Sequence, residues 1–494
     1  MTQLLTCRSL RFAAARSCRA GRTEKFGLAR TASLLFAFCI AAVIASSAQT
    51  FDILFEFQGF DGSDPFDSPV QGVNGNFYGT TAGGTIFEIT PAGRLTTLHS
   101  FTGPDGTGPS GDLVLGSDKN FYGTTAYGGG GKCSSPDGCG TVFKITGAGK
   151  LTTLHSFDGT DGASPMAGLM QASNGNFYGT TSVGGVYDSG TVFEITPTGK
   201  LTTLHSFDGT DGASPMAGLI QASSGNLYGT TYSGGTHASG TVFEITPAGK
   251  QRVVYSFCSQ TNCIDGANPL AGLVQASNGN LYGTTYVGGT YGAGTFFEIT
   301  AGGELSTLYS FGGSLLAGAA PSGTLVQAAN GNFYGTTQGS NGGCSNAICG
   351  TIYEITAAGK PSTLYIFNPA ITQWSYGGLM QGTNGTFYGT TVDSHYGLAS
   401  LGTVFSYSAG LAPFVESVPT SGKVGAAVII LGNNLTGATS VTFNGTAATF
   451  TVARRTEITA TVPTGATTGA IEVTTARGKK LKSKVAFRVI KLLN

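Results

Sequence analysis

Charged residues are scarce in this chain of 494 residues: they make up 11% of it, and there is a single tryptophan. Its apolar run at residues 34–44 is shorter than the ~20 residues that a membrane-spanning helix needs. Nothing in the sequence resembles a nucleophile elbow, a phosphate-binding loop or a metal-ligand signature. These absences argue against a helical membrane protein and against the enzyme classes that such motifs identify.

Glycine, by contrast, is abundant, with 79 residues, and 40% of the chain is hydrophobic. Glycine-rich sequences are often of low complexity, but here the hydrophobic residues recur in order. Because frequent tight turns between apolar segments are typical of β proteins, the composition indicates an all-β chain with a packed core.

The first 48 residues have the features of an export signal. Seven basic residues and one acidic residue precede the apolar run, and the small residues 45–48 follow it. We expect cleavage after Ala48 and a secreted or cell-surface protein with no membrane span after cleavage; an uncleaved anchor is the alternative. Phe38 is too large to precede a lipobox cysteine, so Cys39 does not predict a lipoprotein.

The formal net charge of zero conceals an uneven distribution. Residues 51–410 contain 9 Lys+Arg and 22 Asp+Glu, whereas residues 411–494 contain 10 and 3. The acidic region would repel phosphates, so we expect no nucleic-acid partner. The basic residues at 477–491 suit an anionic polymer or a membrane surface, but lysines also protect edge strands from aggregation, and we favour that interpretation.

Internal repetition dominates the sequence. The tetrapeptide Tyr-Gly-Thr-Thr occurs seven times, beginning at Tyr78, Tyr122, Tyr178, Tyr228, Tyr282, Tyr334 and Tyr388. One unit, residues 168–207, contains four strand-length apolar pieces separated by turn residues such as Asn174-Gly175. Four antiparallel strands repeated seven times predict an all-β, seven-bladed β-propeller; a solenoid is the alternative.

The two ends of the repeat array are complementary. Residues 51–57 match the fourth strand of a unit but lack the first three, and residues 402–407 form a third strand without a fourth. We therefore predict that the N-terminal strand completes the last blade and closes the ring. Closure would remove the exposed sheet edges of an open array.

Three recurring motifs carry a family resemblance: Asn-Gly-Asn-Phe-Tyr-Gly-Thr-Thr, Gly-Thr-Val-Phe-Glu-Ile-Thr and Leu-Thr-Thr-Leu-His-Ser-Phe. They resemble the GloVer repeats of exported bacterial choice-of-anchor proteins over residues 51–410. The resemblance implies an exported propeller and carries no established activity or catalytic residue. Blade 2 departs from the pattern, with Leu115 where Gln171 stands and Lys144 where Glu194 stands.

The chain changes character after residue 410. Alternating apolar strands with turn signals every ~8–12 residues predict an Ig-like β-sandwich. The string from Pro419 to Gly425 and the segment Val441–Thr446 are similar to IPT/TIG domains, which implies a spacer or adhesion module. The predicted organisation is a signal peptide at 1–48, a propeller at 49–410 and an IPT/TIG domain at 411–494.

Six cysteines remain after removal of the signal, in three close pairs: Cys133/Cys139, Cys258/Cys263 and Cys344/Cys349. In an exported chain such spacing predicts local disulfides that clip loops. Zinc binding is the alternative, but no further His or Cys accompanies any pair.

The loops of such a propeller fall on two faces. The turns between strands one and two and between strands three and four share one face and are nearly uniform in sequence. The loops between strands two and three vary from 3 to 15 residues and share the other face with the inter-blade loops and all three cysteine pairs. Variable loops on a rigid scaffold commonly carry binding sites, so we predict one functional face there; neutral variation is the alternative.

Aromatic residues on that face are candidate ligand-binding residues, because exposed rings stack on sugar rings. The candidates are Trp374, Tyr376, Tyr127, Tyr232, Tyr286 and Tyr396. Packing between loops is the alternative role for these rings.

Other polar residues have a simpler structural interpretation. His155 and its equivalents share a repeat position with Phe and Tyr, which indicates a flat ring and not a base. Glu194 and its equivalents share a position with Lys144, which argues against an acid/base pair. The Asp-Gly segments around Asp158 and Asp208 suit Ca²⁺ or simple turns, and we favour turns. We therefore expect no metal and no cofactor.

The sequence favours a monomeric, exported, non-catalytic binding or adhesion module for extracellular polysaccharide or a surface protein. A glycan-active lyase or glycosidase is the first alternative, because its carboxylates can lie in dissimilar loops. A structural surface-layer component is the second.

Overall fold

The computed structural model describes residues 49–131, 133, 138–313, 318–339, 350–367, 375–392 and 401–490. Over these residues the protein is all-β, and a single 3₁₀ turn at Thr261–Cys263 is its one helical element. None of the described segments forms a helix of the length and apolarity that a bilayer span requires. The export signal predicted for residues 1–48 lies outside the described residues.

The described strands between residues 50 and 408 form seven four-stranded antiparallel sheets, numbered here along the chain. The first strand of the chain is β1 (Thr50–Glu56). Sheet 1 contains β2 (Val70–Gln71), β3 (Phe77–Thr81), β4 (Thr85–Ile89) and β5 (Leu95–Ser100). Sheet 2 contains β6 (Thr107–Leu115), β7 (Phe121–Tyr127), β8 (Thr141–Ile145) and β9 (Leu151–Ser156). Sheet 3 contains β10 (Met170–Gln171), β11 (Phe177–Thr181), β12 (Thr191–Ile195) and β13 (Leu201–Ser206). Sheet 4 contains β14 (Ile220–Gln221), β15 (Leu227–Thr231), β16 (Thr241–Ile245) and β17 (Gln251–Ser256). Sheet 5 contains β18 (Val274–Gln275), β19 (Leu281–Thr285), β20 (Thr295–Ile299) and β21 (Leu305–Ser310). Sheet 6 contains β22 (Val326–Gln327), β23 (Phe333–Thr337), β24 (Thr351–Ile355) and β25 (Pro361–Ile366). Sheet 7 contains β26 (Met380–Gln381), β27 (Phe387–Thr391), β28 (Thr403–Ser408) and β1.

The sheets are stacked on one another, which explains why their second strands are buried along their whole length instead of alternating. Tyr122 of sheet 2 lies against Phe177 of sheet 3, with ring centroids 3.9 Å apart. Phe157 packs edge-on against Phe193 across the same interface, at 5.3 Å. Equivalent aromatic pairs recur between other neighbouring sheets, so the core is a series of similar layers.

The chain ends of the array meet as predicted. β1 pairs antiparallel with β28, with Phe51 opposite Tyr407. Sheet 7 in turn packs on sheet 1, where Phe77 and Tyr388 lie 3.9 Å apart. The fold of this part of the chain is therefore propeller-like.

The described residues after 411 form two further four-stranded sheets and one parallel strand pair. Their strands are β29 (Glu416–Val418), β30 (Ser421–Lys423), β31 (Ala427–Leu431), β32 (Ser440–Phe443), β33 (Thr446–Ala447), β34 (Phe450–Arg454), β35 (Glu457–Thr461), β36 (Ile471–Thr474), β37 (Lys480–Lys482) and β38 (Arg488–Ile490). Ile430 and Ile458 of one sheet share a buried core with Phe443 and Val473 of the other. We call this part the C-terminal sandwich.

The C-terminal sandwich lies on the turns between the first and second strands of several propeller sheets. Ile429 and Leu431 pack against Tyr78 and Leu115 of sheets 1 and 2. Polar contacts join Thr456 to Val73 of sheet 1, Glu457 to Lys119 of sheet 2, Arg488 to Gln221 of sheet 4, and Asn433 to Thr383 of sheet 7. Sheet 4 lies across the ring from sheets 7 and 1. The C-terminal sandwich therefore covers the end of the array that carries the turns between first and second strands.

Candidate functional site

The two ends of the propeller sheets differ in what they carry. One end, the hairpin face, holds the turns between strands one and two and between strands three and four, and the C-terminal sandwich covers it. The other end, the loop face, holds the segments between strands two and three and the segments that join one sheet to the next. The site predicted from sequence lies at the loop face.

A closed ring of seven residues surrounds the axis just above the first strands. Each sheet contributes one residue, and each contacts the next through a hydrogen bond or close backbone approach: Ser68, Asp112, Gly168, Gly218, Gly272, Thr324 and Gly378. A Cβ on Gly378 would lie 2.3 Å from the carbonyl oxygen of Thr324, so only glycine fits there. We call these residues the axial ring.

The residues two positions before the axial ring form the next layer towards the loop face, which we call the channel mouth. They are Phe66, Ser110, Met166, Met216, Leu270, Ser322 and Tyr376. Phe66 and Met166 are 39% and 38% exposed, and Phe66 packs edge-on against Tyr376 with centroids 5.3 Å apart. Five of these seven residues are apolar or aromatic, where most surface residues would be polar.

Two further tyrosines join this layer from the loops between strands two and three. The pKa of Tyr286 is raised by its burial and by the nearby phenols of Tyr376 and Tyr232. The Tyr286 hydroxyl donates to Oε1 of Gln338 at 3.1 Å. Gln338 is only 3% exposed, and its Nε2 has no hydrogen-bond partner among the described residues.

A pair of carboxylates lies at the level of the axial ring, in sheets 1 and 2. Asp67 accepts a hydrogen bond from Thr80 Oγ1 at 3.1 Å, and Asp112 accepts one from the Ser68 backbone N–H at 2.7 Å. Burial raises the pKa of both carboxyls, and the negative charge of Asp112 raises that of Asp67 further. Asp112 is nevertheless solvent-exposed, so its carboxylate is accessible to a ligand.

A cleft of about 1040 Å³ opens on the loop face beside this pair. Its lining comes from sheets 1, 2 and 3 and includes Phe66, Ser110, Met166, Tyr127 and Cys133. Tyr127 is the last residue of β7 and is 42% exposed. The cleft is large enough for one or two sugar rings.

The structure brings together half of the aromatic residues predicted from the sequence. Tyr232, Tyr286 and Tyr376 meet near the axis, whereas Tyr127 lies in the cleft. Trp374 and Tyr396 lie outside the described residues.

The sequence reasoning missed Asp67, Asp112 and Gln338. A signal for the carboxylates was present, because the equivalent positions in the third repeat hold Ala167 and Gly168, so aspartate is a departure from the pattern. No comparable signal marked Gln338.

Two of the three predicted disulfides are present, Cys133–Cys139 and Cys258–Cys263, and both lie on the loop face. Cys344 and Cys349 lie outside the described residues. Disulfides are typical of an oxidising, extracellular environment. Elsewhere in the described segments, no three His, Cys, Asp or Glu side chains are grouped as a metal site would require.

The repeats match the model of the Gloeobacter/Verrucomicrobia repeat over residues 41–236, 130–264 and 220–453. The chain belongs to this repeat family. No curated protein matches this Gloeobacter/Verrucomicrobia repeat protein.

Two solved structures are similar to the repeat protein in fold. A copper-bound fungal alcohol oxidase of the AA5 family is 13% identical, with a TM-score of 0.53, and the match covers 90% of this chain and all of that one. The extracellular domain of a hybrid two-component system from B. thetaiotaomicron is 11% identical, with a TM-score of 0.50 and 88% of this chain covered. The chain spans 57% of the length of that second protein. At these identities the likeness shows the fold alone.

Proposed function

We propose that this repeat protein is an exported, non-catalytic module that binds extracellular glycan through its channel mouth. In this proposal, residues 49–410 are a seven-bladed propeller closed by its N-terminal strand, residues 411–494 are an Ig-like IPT/TIG domain, and residues 1–48 are a cleaved signal peptide. The family match, the seven stacked sheets and the disulfides support this organisation.

The observation that carries the proposal is the group of aromatic rings around the axis. Phe66, Tyr232, Tyr286 and Tyr376 come from four different sheets and keep part of their surface accessible. Rings of this kind stack on the apolar faces of sugars, and their hydroxyls bond sugar hydroxyls. The adjoining cleft provides the concave surface that small ligands need.

The position of the C-terminal sandwich supports the choice of face. It covers the hairpin face through contacts with sheets 1, 2, 4 and 7, so a ligand that approaches the axis meets the loop face. A spacer domain on one end and a binding mouth on the other is a suitable arrangement for display at a surface.

A glycan array with the chain from Gln49 onward tests the proposal. We expect binding to at least one class of glycan, a loss of at least tenfold in Tyr286→Ala, and a smaller loss in Tyr286→Phe, which keeps the ring. Tyr291→Ala is the matched control, because Tyr291 lies in the same loop, is 60% exposed and is not part of the aromatic group. Binding to no glycan, or equal losses in Tyr286→Ala and Tyr291→Ala, would contradict the proposal.

One observation favours a glycan-active enzyme as the second candidate. Asp67 and Asp112 have raised pKa values, as the acid of a glycosidase does, and their sequence neighbours Phe66 and Ser110 line a cleft. Release of reducing ends from a polysaccharide panel, abolished by Asp67→Asn, would establish this function. Absence of release across the panel would leave the binding module as the better assignment.

A further inference from the structure

The loop face of the propeller is acidic. In the described segments of the loop face, including residues 107–113 of β6, there are eleven aspartates and no lysine or arginine. These aspartates are Asp61, Asp64, Asp67, Asp105, Asp112, Asp158, Asp161, Asp188, Asp208, Asp211 and Asp265. The sequence adds Lys132, Asp137 and Asp393 to the same segments, outside the described residues.

Six of the nine lysines and arginines of the propeller lie in turns of the hairpin face, together with Asp118 and Glu304. The turns of the hairpin face contain Arg94, Lys119, Lys150, Lys200, Lys250 and Lys360. A face lined by one sign of charge concentrates ligands of the opposite sign and excludes those of the same sign. The loop face is therefore suited to a cationic ligand.

We propose that the channel mouth selects glycans that carry protonated amino groups, with Asp67 and Asp112 accepting the ammonium group and the Gln338 amide donating to a sugar hydroxyl. This inference rests on the proposed glycan-binding function and names its ligand class. An amino-sugar chain combines the two features required, a cation and a hydroxyl acceptor.

The carboxylate pair has unused capacity for a cation. No lysine, arginine or histidine among the described residues forms an ion pair with Asp67 or Asp112. Their hydrogen bonds come from Thr80, from Ser68 and from the Gly111 backbone, whereas two carboxylates together offer about eight acceptor positions. Two neighbouring carboxylates without a cation repel each other, and an ammonium group between them would relieve that repulsion.

Gln338 is a second, independent indication of a ligand. A buried amide N–H without a partner costs free energy, so such groups are rare unless something binds them. The Oε1 of Gln338 is held by the Tyr286 hydroxyl, which fixes the amide beside the aromatic group. Its Nε2 is thus a buried donor that is still unused beside the aromatic group.

The aromatic rings favour the same class of ligand. Phe66 and Tyr376 lie one layer above the carboxylates, and ring faces attract cations as well as sugar C–H surfaces. An amino sugar that enters the mouth would pass these rings before its ammonium group reached Asp67 and Asp112.

The test compares two hexamers that differ only in the amino group: β-1,4-linked glucosamine and its fully N-acetylated form. Binding to the chain from Gln49 onward is measured by calorimetry at several pH values between about 5.5 and 7.5, because the ligand must carry ammonium groups while the aspartate pair, whose pKa values are raised, carries a negative charge. We expect the glucosamine hexamer to bind at least tenfold more tightly. We also expect its affinity to fall with added salt, because the attraction is between charges.

Variants assign the effect to residues. Asp67→Asn combined with Asp112→Asn should bring the affinity ratio close to one, whereas Asp52→Asn, which removes an exposed carboxylate on β1, should leave the ratio unchanged. Asp112→Asn alone, at a position in contact with solvent, serves if the double variant does not fold. Gln338→Leu should weaken both hexamers equally, because it removes a contact to a hydroxyl.

Three results would overturn the inference: equal affinity for both hexamers, a ratio that persists in the double aspartate variant, or no binding of either hexamer. Binding of both hexamers equally, or of a neutral glycan on the array alone, would leave the proposed glycan-binding function intact. The proposed glycan-binding function itself would fail only if the protein bound no glycan on the array.

Discussion

At the scale of single residues, the carboxylates of Asp67 and Asp112 stand out because the third repeat forms its sheet without them. The equivalent positions of the third repeat hold Ala167 and Gly168, and that sheet packs into the ring equally well. Burying two like charges side by side destabilises the folded state unless one of them takes up a proton. Residues that cost stability and replace alanine and glycine in a repeat are more readily explained by function than by folding.

The Asp67–Asp112 pair should make the stability of the folded protein depend on pH. The folded-state pKa of both carboxyls is raised above the ordinary value near 4, so between about pH 4 and neutral pH the folded protein holds more protons than the unfolded chain. The contribution of the pair to stability therefore falls as the pH rises through this window. The Asp67→Asn substitution should remove this loss of stability at higher pH, because asparagine does not ionise.

Calorimetric melting at about pH 4 and about pH 8 tests this. The melting temperature of Asp67→Asn, relative to the unmodified protein, should be higher at the upper pH. The exposed Asp52→Asn should show no such change between the two pH values. A difference that is the same at both pH values would mean that the pair does not titrate as described.

At the scale of the elements, six of the seven propeller sheets have a carboxylate near the hairpin turn that accepts a hydrogen bond from the tyrosine hydroxyl of the second strand. Sheet 7 has Ser406 at the glutamate position instead. In sheet 3 the Glu194 carboxylate accepts hydrogen bonds from the Tyr178 hydroxyl and from Asn176, both at 2.7 Å. Sheet 2 has Lys144 in place of the glutamate, and there Asp118 in the turn accepts from the Tyr122 hydroxyl at 2.8 Å. The departure noted in the sequence of blade 2 is thus a relocation of the carboxylate, not its loss.

This relocation predicts a compensating pair of substitutions. Asp118→Asn should destabilise the protein by about 1 kcal/mol, because the Tyr122 hydroxyl loses a charged acceptor. Adding Lys144→Glu should recover most of that loss, because position 144 lies opposite Tyr122 as Glu194 lies opposite Tyr178. Lys144→Glu alone should destabilise, since it brings a second carboxylate near Asp118.

Urea unfolding of the single and double variants measures the coupling energy, which we expect to be about 1 kcal/mol. The reverse exchange in sheet 3, Asn174→Asp with Glu194→Lys, is the matched control and should behave in the same way. Additive effects in both sheets would show that the two carboxylate positions are not interchangeable.

The elements were predictable to within a residue or two where repetition aligned them. The last two of the four strand-length pieces predicted within residues 168–207 are β12 at Thr191–Ile195 and β13 at Leu201–Ser206. The packing of the C-terminal sandwich on the hairpin face was not predictable. Ile429 and Leu431 belong to an alternating apolar pattern that any half-buried strand would show. The repeat pattern of the propeller does not reveal what packs on its turns. The axial carboxylates were missed because only aspartates in Asp-Gly turns were considered.

At the scale of the whole molecule, the last sheet of the array is completed by β1, which comes from the other end of the array. Phe51 of β1 stacks on Tyr365 of sheet 6 at 3.9 Å and lies 5.2 Å from Phe405 of sheet 7. β1 therefore supplies both the backbone partners of β28 and part of the packing between two sheets. An unpaired β28 would be an open edge next to an apolar surface, which is a site for association with other strands.

Removal of β1 should accordingly be reversible by a peptide. A chain that begins at Gln58 is expected to melt at a lower temperature than one that begins at Gln49 and to associate through β28. A synthetic peptide of residues 49–58 should restore the melting temperature in trans, because strand addition satisfies the edge and returns Phe51 to its place. The same peptide with Phe51→Ala should bind at least tenfold more weakly, and a scrambled peptide should not bind. Equal melting of the two chains, or restoration by the scrambled peptide, would show that the ring does not depend on this strand for its closure.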